Sequence, residues 1–262
     1  GVVDYVFLTV KAHGLSEIAG KLQPLLGPET VVVSAQNGIP WWYFYKHGGP
    51  LDGRRIELLD PGGFITKSIP TDRVIGSIVY PSASVVEPGK IMHIEGNRFS
   101  IGELDGQKTE RSKLLSEALI ESGLRCPIRT RIRHDMWVKL LGNIAFNPVS
   151  ALTMATLDRV VSQVQVVEGA RAVMEEADSV ACALGIDVPV SVDMRLAGVE
   201  KVGAHKTSML QDVETGRPME LESIIGAVIE LGEMVGIRMP YARFVYGLIK
   251  LRNDSIAESK MD

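Results

Sequence analysis

The amino-terminal part of the sequence constrains the fold most strongly, because two buried-strand patterns there flank one helical pattern. Residues 4–10 and 30–34 are β-rich apolar runs of the kind that fill a parallel sheet. Between them, residues 15–26 carry leucine, isoleucine and alanine near helical spacing and stop at Gly27-Pro28. A strand, a helix and a second strand in this order predict a βαβ unit of a doubly wound sheet.

Polar residues follow both predicted strands. Lys11 comes directly after the first strand, and Asn37 lies in the turn Gln36-Asn37-Gly38 after the second. Ligands of a doubly wound sheet bind at the carboxyl ends of its strands, so we expect Lys11 and Asn37 at a binding edge. The aromatic cluster from Trp41 to Tyr45 follows this turn, and we expect it in the core or at an oligomer contact.

The pattern changes twice along the rest of the chain. Strands are predicted at 74–80, 89–95 and 97–102, with Gly96-Asn97 as a hairpin turn. Helices dominate after residue 132, and we predict them at 135–147, capped by Asp135 and ended by Pro148, and at 162–184, 221–235 and 241–251. The sequence therefore predicts an α/β domain over 1–127 and an all-α domain over 128–262.

Three polar residues recur every fourth position in an otherwise apolar helix. Lys139, Asn143 and Asn147 project from nearly the same face, drifting by about 40° per step. A solvated helix face is the simpler explanation, but the neighbouring residues are mostly apolar and leave little surface for one. We therefore expect this polar stripe to face a cleft.

A second polar segment spans residues 205–222 and contains a Gly-Arg-Pro turn. Glu220 precedes the helix predicted at 221–235. Acids are favoured near the positive end of a helix, so capping alone would explain Glu220, and equally Asp212 and Glu214. On composition alone, capping is the better explanation for all three acids.

Composition excludes several classes of protein. The formal net charge is −4, so there is no basic excess with which to track nucleic-acid phosphates. No apolar run reaches the ~18 residues that a membrane span needs. The histidines and the two cysteines show no metal-ligand spacing and no disulfide framework, so we expect no metal and a reducing, cytoplasmic compartment.

Five short motifs in a fixed order carry a family resemblance. They are Val10-Lys11, Gln36-Asn37-Gly38, the stretch from Trp137 to Asn147, the stretch from Ser208 to Asp212, and the stretch from Gly216 to Glu222. With them the sequence resembles the ketopantoate reductase family (2-dehydropantoate 2-reductases), which are NADPH-dependent enzymes of pantothenate synthesis. The resemblance covers essentially the whole chain and implies a Rossmann-like cofactor domain followed by an all-α substrate and dimerisation domain.

The resemblance also implies roles for individual residues. Lys139 is then the general acid and Glu220 binds the hydroxyl end of the substrate. The residues that position the substrate are Asn37, Asn143, Asn147 and Ser208. Lys11 and Asn37 lie near the nicotinamide ribose of NADP. The chemistry agrees, because a positioned ammonium can stabilise and protonate the alkoxide formed when a 2-oxo carbon receives a hydride.

Two departures from the family pattern stand out. None of the 26 glycines forms the Gly-x-Gly-x-x-Gly fingerprint that binds a pyrophosphate between a strand and a helix. We therefore expect the cofactor domain to be partial, with roughly the first quarter of the family's length missing. The family also often has Gln shortly after the strand-end lysine, where this chain reads Lys11-Ala-His-Gly-Leu.

The leading hypothesis is the NADPH-dependent reduction of a small 2-oxo acid, 2-dehydropantoate to pantoate, by a homodimer. One alternative is a reductase of another 2-oxo acid on the same fold, with the difference at Trp41 and Trp42. Another is a non-catalytic binding or oligomerisation module, because the phosphate cradle of the cofactor is missing.

Overall fold

The computed structural model describes residues 1–258 and divides the chain into two compact units. The first domain is Gly1–Asp135 and the second is Met136–Asp262. This division lies later than the boundary expected after residue 127. The reason is that residues 124–131 still belong to the first domain, where Arg125 and Ile128 form bridges beside the last strand of its sheet.

The first domain is built on a mixed four-stranded sheet. Its strands and helices are β1 (Tyr5–Leu8), α1 (Leu15–Ala19), β2 (Val31–Ser34), α2 (Phe64–Ser68), β3 (Val74–Val79), β4 (Ser82–Glu87), β5 (Lys90–Glu95), β6 (Phe99–Glu103) and α3 (Glu110–Glu121). The sheet order is β1-β2-β3-β6, with the first three strands parallel and β6 antiparallel to β3. This is the Rossmann-like arrangement that the alternating pattern predicts.

The core of this domain lies between the sheet and α3. Val33, Ile75, Ile101 and Leu115 are buried there, as parallel strands covered by helices require. Trp42 packs so closely on the sheet that a Cβ at Gly76 would lie 2.9 Å from its ring. The aromatic cluster is therefore core, since residues 41–44 are all buried, and the glycine in β3 makes room for it.

The prediction of a hairpin turn at Gly96-Asn97 was wrong. β5 pairs with β4, which the sequence did not indicate, and β6 pairs with β3 in the main sheet. The two-stranded β4–β5 ribbon turns at Pro88-Gly89, where Gly89 has a positive φ of 79°. Gly96 therefore connects two sheets, and the ribbon is almost wholly exposed.

A buried carboxylate makes the stability of the first domain depend on one arginine. Glu103 is 4% exposed, and its oxygens accept hydrogen bonds from Nε of Arg111 at 2.8 Å and Nη2 at 2.6 Å. We expect Arg111→Met to lower the free energy of unfolding by about 3 kcal/mol, because it leaves a buried charge without its cation. Lys113→Met is the matched control and should cost under about 0.5 kcal/mol, since Lys113 forms an exposed pair with Glu110. Urea unfolding measures both, and equal losses would contradict this account of Glu103.

The second domain is helical. Its helices are α4 (Ile132–Thr153), which begins in the first domain, α5 (Leu157–Val161), α6 (Val164–Ala183), α7 (Val192–Glu200), α8 (Ser208–Glu214), a π-helical turn (Glu222–Gly226), α9 (Ala227–Val235) and α10 (Pro240–Glu258). Helix α9 ends at Gly236, which adopts the left-handed conformation at φ 74°.

Helix α4 is longer at both ends than predicted. Asp135 lies in its first turn rather than capping it, and a bidentate ion pair with Arg129 holds its carboxylate. Pro148 lies inside the helix rather than ending it. The buried side chains Ser150 and Ala151 lie beyond the proline, so packing outweighs the one backbone hydrogen bond that proline removes.

Two kinds of functional feature are absent from residues 1–258. None of the described helices combines the length and the apolar character that a membrane crossing requires. The same residues contain no grouping of three or more His, Cys, Asp or Glu side chains arranged to hold a metal ion.

Candidate active site

Lys139 lies in the middle of α4. Among the described lysines, it has the pKa that departs furthest from its ordinary value. Trp137 and Leu140 beside it are fully buried, whereas Lys139 keeps a little accessible surface. Burial lowers the pKa of its ammonium from 10.5 to about 8, because an apolar environment disfavours the charged form. An ammonium with this pKa is mostly protonated at neutral pH and donates its proton more readily than an ordinary lysine.

Glu220 provides the electrostatic partner of this lysine. It lies in the segment between α8 and the π-helical turn and is partly buried. Its negative charge raises the pKa of Lys139 and so opposes part of the effect of burial. The structure thus brings together the two residues predicted to be catalytic, although they are far apart in the sequence.

The two asparagines of the polar stripe follow Lys139 along α4. Asn143 is partly buried, and Asn147 is 6% exposed. Their spacing of four residues places both amides on the same face of the helix as the ammonium. An ammonium and two uncharged amides in one row can bind an oxygen-rich molecule and orient it without adding charge.

Ser208 is the first residue of α8 and its side chain is exposed. Thr207 caps this helix, since its hydroxyl accepts a hydrogen bond from the backbone N–H of Leu210 at 3.2 Å. The capping interpretation of Asp212 and Glu214 was wrong, because both lie in the carboxyl-terminal half of α8. Asp212 is buried there and Nε of Arg217 lies 3.6 Å from its carboxylate.

Helix α10 holds the Glu220 segment on both sides. The backbone N–H of Met219 donates to Oδ1 of Asn253 at 3.0 Å. The hydroxyl of Tyr246 donates to the carboxylate of Glu222, at 2.7 Å to Oε2. Burial and this hydrogen bond raise the pKa of Tyr246, so it remains a donor across the working range of pH. Glu220 therefore lies between two anchors, and a π-helical turn, a feature common at functional sites, begins two residues later.

Sequence reasoning missed Tyr246 and Asn253. They are separated from their partners by 24 and 34 residues. Their own spacing of seven residues on one helix was the available signal, but it is also that of ordinary core packing.

In the first domain, Lys11 and Asn37 follow neighbouring strand ends. β1 and β2 are parallel and Leu8 is paired with Ser34, so both residues lie at the carboxyl edge of the sheet. Both side chains are partly buried, and Gly38 turns the chain at a positive φ of 81°. An ammonium and an amide at this edge are donors suited to ribose hydroxyls and phosphate oxygens.

Trp41 and Trp42 also line a cavity of about 200 Å³ in the first domain. Its rim carries the cationic side chains Arg54, Arg55 and Lys67. Arg55 forms an ion pair with Glu57, and Lys67 donates to the carbonyl of Gly62 at 3.3 Å. Two of the three rim cations, Arg55 and Lys67, therefore already have partners in nearby residues of the chain.

Comparison with known families and proteins identifies the chain. The family model described as ketopantoate reductase PanE/ApbA matches residues 1–106, and the model of the ketopantoate reductase PanE/ApbA C terminal matches residues 131–253. The 2-dehydropantoate 2-reductase of Mesorhizobium japonicum is 48% identical over 250 residues, which cover 95% of this chain and 77% of that protein.

Solved structures of similar proteins share the fold of this chain. A Ralstonia solanacearum protein of known crystal structure superposes with a TM-score of 0.93 at 38% identity, over 97% of this chain and 78% of its own. D-mandelate dehydrogenase, solved with NADH and anilino(oxo)acetate, superposes with a TM-score of 0.82 at 22% identity, over 98% of this chain and 78% of its own. The latter likeness shows the fold alone. The two matching models and the 48% identity show that this chain belongs to the ketopantoate reductase family.

Proposed function

We propose that this chain catalyses the NADPH-dependent reduction of 2-dehydropantoate to pantoate, with Lys139 as the general acid. The observation that carries the proposal is the buried ammonium of Lys139. Its pKa is about 8, and the negative charge of Glu220 raises that pKa against the effect of burial. Family membership supports the reaction class, and the 48% identical relative is itself a 2-dehydropantoate 2-reductase.

The cofactor assignment rests on the donor set at the edge of the first sheet. Lys11 and Asn37 fit the nicotinamide ribose end of a dinucleotide, since both extend donors from adjacent strand ends. A bound nicotinamide supplies the hydride that reduces the carbonyl carbon. The preference for NADPH over NADH is part of the proposal.

The site residues of the second domain then divide the remaining tasks. The ammonium of Lys139 donates a hydrogen bond to the 2-oxo oxygen, stabilises the negative charge that develops there, and transfers its proton to give the product hydroxyl. Lys139 is left as a neutral amine and regains a proton from solvent. Asn143, Asn147 and Ser208 donate hydrogen bonds that orient the acceptor, and the family resemblance implies the same task for Asn37.

Glu220 has two tasks in this proposal. Its carboxylate accepts a hydrogen bond from the hydroxyl end of 2-dehydropantoate. Its charge also keeps the pKa of Lys139 from falling further, so that the acid stays protonated near neutral pH. A 2-oxo acid without a hydroxyl group at that end loses the first interaction, which makes Glu220 a determinant of acceptor choice.

Initial rates with a panel of 2-oxo acids test the proposal directly. The panel contains 2-dehydropantoate, 2-oxoisovalerate, pyruvate and phenylglyoxylate, each with NADPH and with NADH. We expect the highest kcat/KM for 2-dehydropantoate with NADPH. A higher value for another acceptor would favour a reductase of a different 2-oxo acid. Binding of pantoate without turnover of any acceptor would favour a non-catalytic module.

The anchoring of Glu220 by α10 gives a further prediction. Asn253→Ala removes the acceptor for the N–H of Met219, and we expect kcat/KM for 2-dehydropantoate to fall about tenfold, mainly through KM. Asn253→Asp keeps an acceptor oxygen at that position and should restore most of the loss. Tyr241→Phe, at an exposed position of the same helix, is the control. If Asn253→Asp is as impaired as Asn253→Ala, the positioning role is wrong.

A further inference from the structure

The cavity of the first domain is lined by residues to which the proposed reaction gives no task. It has a volume of about 200 Å³, and its walls come from three stretches of the chain, at residues 41–45, 53–55 and 63–71. We call it the indole cavity, because Trp41 and Trp42 form part of its wall. Lys11 and Asn37, which are proposed to bind the cofactor, do not line it.

The loop that frames the indole cavity is held by its own hydrogen bonds. The N–H of Gly53 donates to the carbonyl of Phe44 at 2.8 Å and joins two of the three stretches. The fully buried carboxylate of Asp60 accepts from the backbone N–H groups of Ile65 at 2.6 Å and Thr66 at 3.1 Å, at the start of α2. The fold therefore forms this cavity in advance, and a ligand does not have to order it.

The charged residues that line the indole cavity are all positive. Arg54, Arg55 and Lys67 lie at the rim, and none of the described lining residues is acidic. The nearby acid Glu57 is engaged by Arg55, whose Nε donates to it at 2.6 Å. Within the described part of the chain, Arg54 forms no ion pair, and Lys67 donates only to the neutral carbonyl of Gly62. Two of the three rim charges are therefore not neutralised, which favours a doubly charged anion.

The aromatic wall of the indole cavity carries two hydrogen-bond donors without acceptors. Trp41 and Trp42 are 5% and 2% exposed, and neither indole N–H has a hydrogen-bond partner among residues 1–258. Buried donors in native structures normally have partners, so these exceptions call for an explanation. An indole N–H only donates, and phosphate oxygens are strong acceptors. A ligand rich in acceptors is the explanation that also fits the positive rim.

We propose that the indole cavity is a second ligand site of this protein and binds a small phosphate monoester. A phosphate monoester carries a charge of about −1.5 to −2 near neutral pH, which matches the two rim charges that no carboxylate neutralises. The guanidinium of Arg54 presents several donors to phosphate oxygens, and the hydroxyls of Tyr45 and Thr71 add two uncharged donors. The rings of the aromatic wall then contact the carbon body of the ligand.

The volume of the indole cavity limits the size of the ligand. A water molecule takes up about 30 Å³ in the liquid, so the cavity has room for about seven non-hydrogen atoms of that size. A phosphate group with a body of about three carbons fills this space, whereas a complete dinucleotide is far too large for it. The rim cations are exposed, so we expect a dissociation constant on the order of 0.1 mM.

Isothermal titration calorimetry of the protein with glycerol 3-phosphate tests the proposal, with malonate and glycerol as comparison ligands. We expect glycerol 3-phosphate to bind most tightly and glycerol not to bind. The intrinsic fluorescence should change on binding, since two of the three tryptophans line the cavity. Failure of glycerol 3-phosphate to bind, or an equal affinity for malonate, would overturn the proposal.

Two substitutions at the rim test the location of the site. Arg54→Gln and Lys67→Met should each weaken the binding of glycerol 3-phosphate about tenfold, because each removes a cation that no carboxylate neutralises. Lys21→Met and Arg131→Gln are the matched controls, since they change exposed cations of the same domain outside the cavity. Lys139→Met should also bind normally, which separates this site from the proposed reaction. Equal losses in the rim variants and the controls, or loss of binding in Lys139→Met, would contradict the assignment to this cavity.

Discussion

Lys139→Met is expected to lower kcat for the reduction of 2-dehydropantoate by a factor on the order of 10²–10⁴, the usual contribution of a positioned general acid. Methionine keeps the length and apolar character of the lysine stem but cannot donate a proton. Because the ammonium also stabilises the developing alkoxide, the loss should appear in kcat and in kcat/KM together. Steady-state kinetics of the protein measure both constants.

The same substitution should make the second domain more stable. The pKa of Lys139 is about 8 when folded and 10.5 when unfolded, so the folded state holds its charge at a cost of up to about 3 kcal/mol at pH 7. Above about pH 8 the folded state releases the proton first, so the cost declines and disappears above pH 10.5. The gain from methionine should therefore be largest below pH 8.

The control for Lys139→Met is Lys201→Met, which changes an exposed lysine of the second domain. It should alter neither kcat nor the free energy of unfolding by a measurable amount. A Lys139→Met protein that is both folded and fully active would contradict the proposed mechanism. An inactive variant with lowered stability would instead indicate that Lys139 has a structural role.

Glu220→Gln is expected to lower kcat/KM for 2-dehydropantoate about 30-fold near pH 7. The amide accepts a weaker hydrogen bond from the substrate hydroxyl than the carboxylate does, and this difference alone is worth about 1–2 kcal/mol. Loss of the negative charge also lowers the pKa of Lys139 further, so less of the acid is protonated. The decline in rate at high pH should consequently begin at a lower pH than in the unmodified protein.

Glu200→Gln is the matched control, because it removes an exposed carboxylate on α7. It should leave both the rate and its pH dependence unchanged. A Glu220→Gln protein whose rate falls without any movement of the high-pH decline would mean that Glu220 binds substrate but does not set the acidity of Lys139.

The sequence was most informative where buried strands and one helix face repeat regularly. Residues 31–34 are an uninterrupted buried run, so β2 could be placed within one residue. The spacing of Lys139, Asn143 and Asn147 indicated a common face of α4. These patterns are local, and their periodicity follows from the geometry of a single strand or helix.

Elements without such periodicity were not predictable. β4 is mostly exposed on both faces, so its side chains show no alternation. Helices α7 and α8 are short, and their apolar residues form no continuous stripe. Pro148 was misleading, because the buried residues beyond it hold α4 together despite the lost hydrogen bond.

The electrostatics of the site were only partly predictable. A lysine acting as an acid near neutral pH must be buried, and the low pKa of Lys139 agrees with that requirement. The two anchors on α10 could not be predicted from the sequence. Tyr246 and Asn253 form contacts with residues that are distant in the chain. Sequence pattern alone does not report which helix faces pack together.

The pH dependence of kcat/KM for 2-dehydropantoate, measured from pH 6 to pH 10 with the unmodified protein and with Lys139→Met, tests the central claim most directly. With Lys139 as the acid, the rate of the unmodified protein is level at low pH and falls about tenfold per pH unit above about pH 8. The residual rate of Lys139→Met should lack this decline. An identical decline in both proteins, or a level profile to pH 10 in the unmodified one, would show that another group supplies the proton.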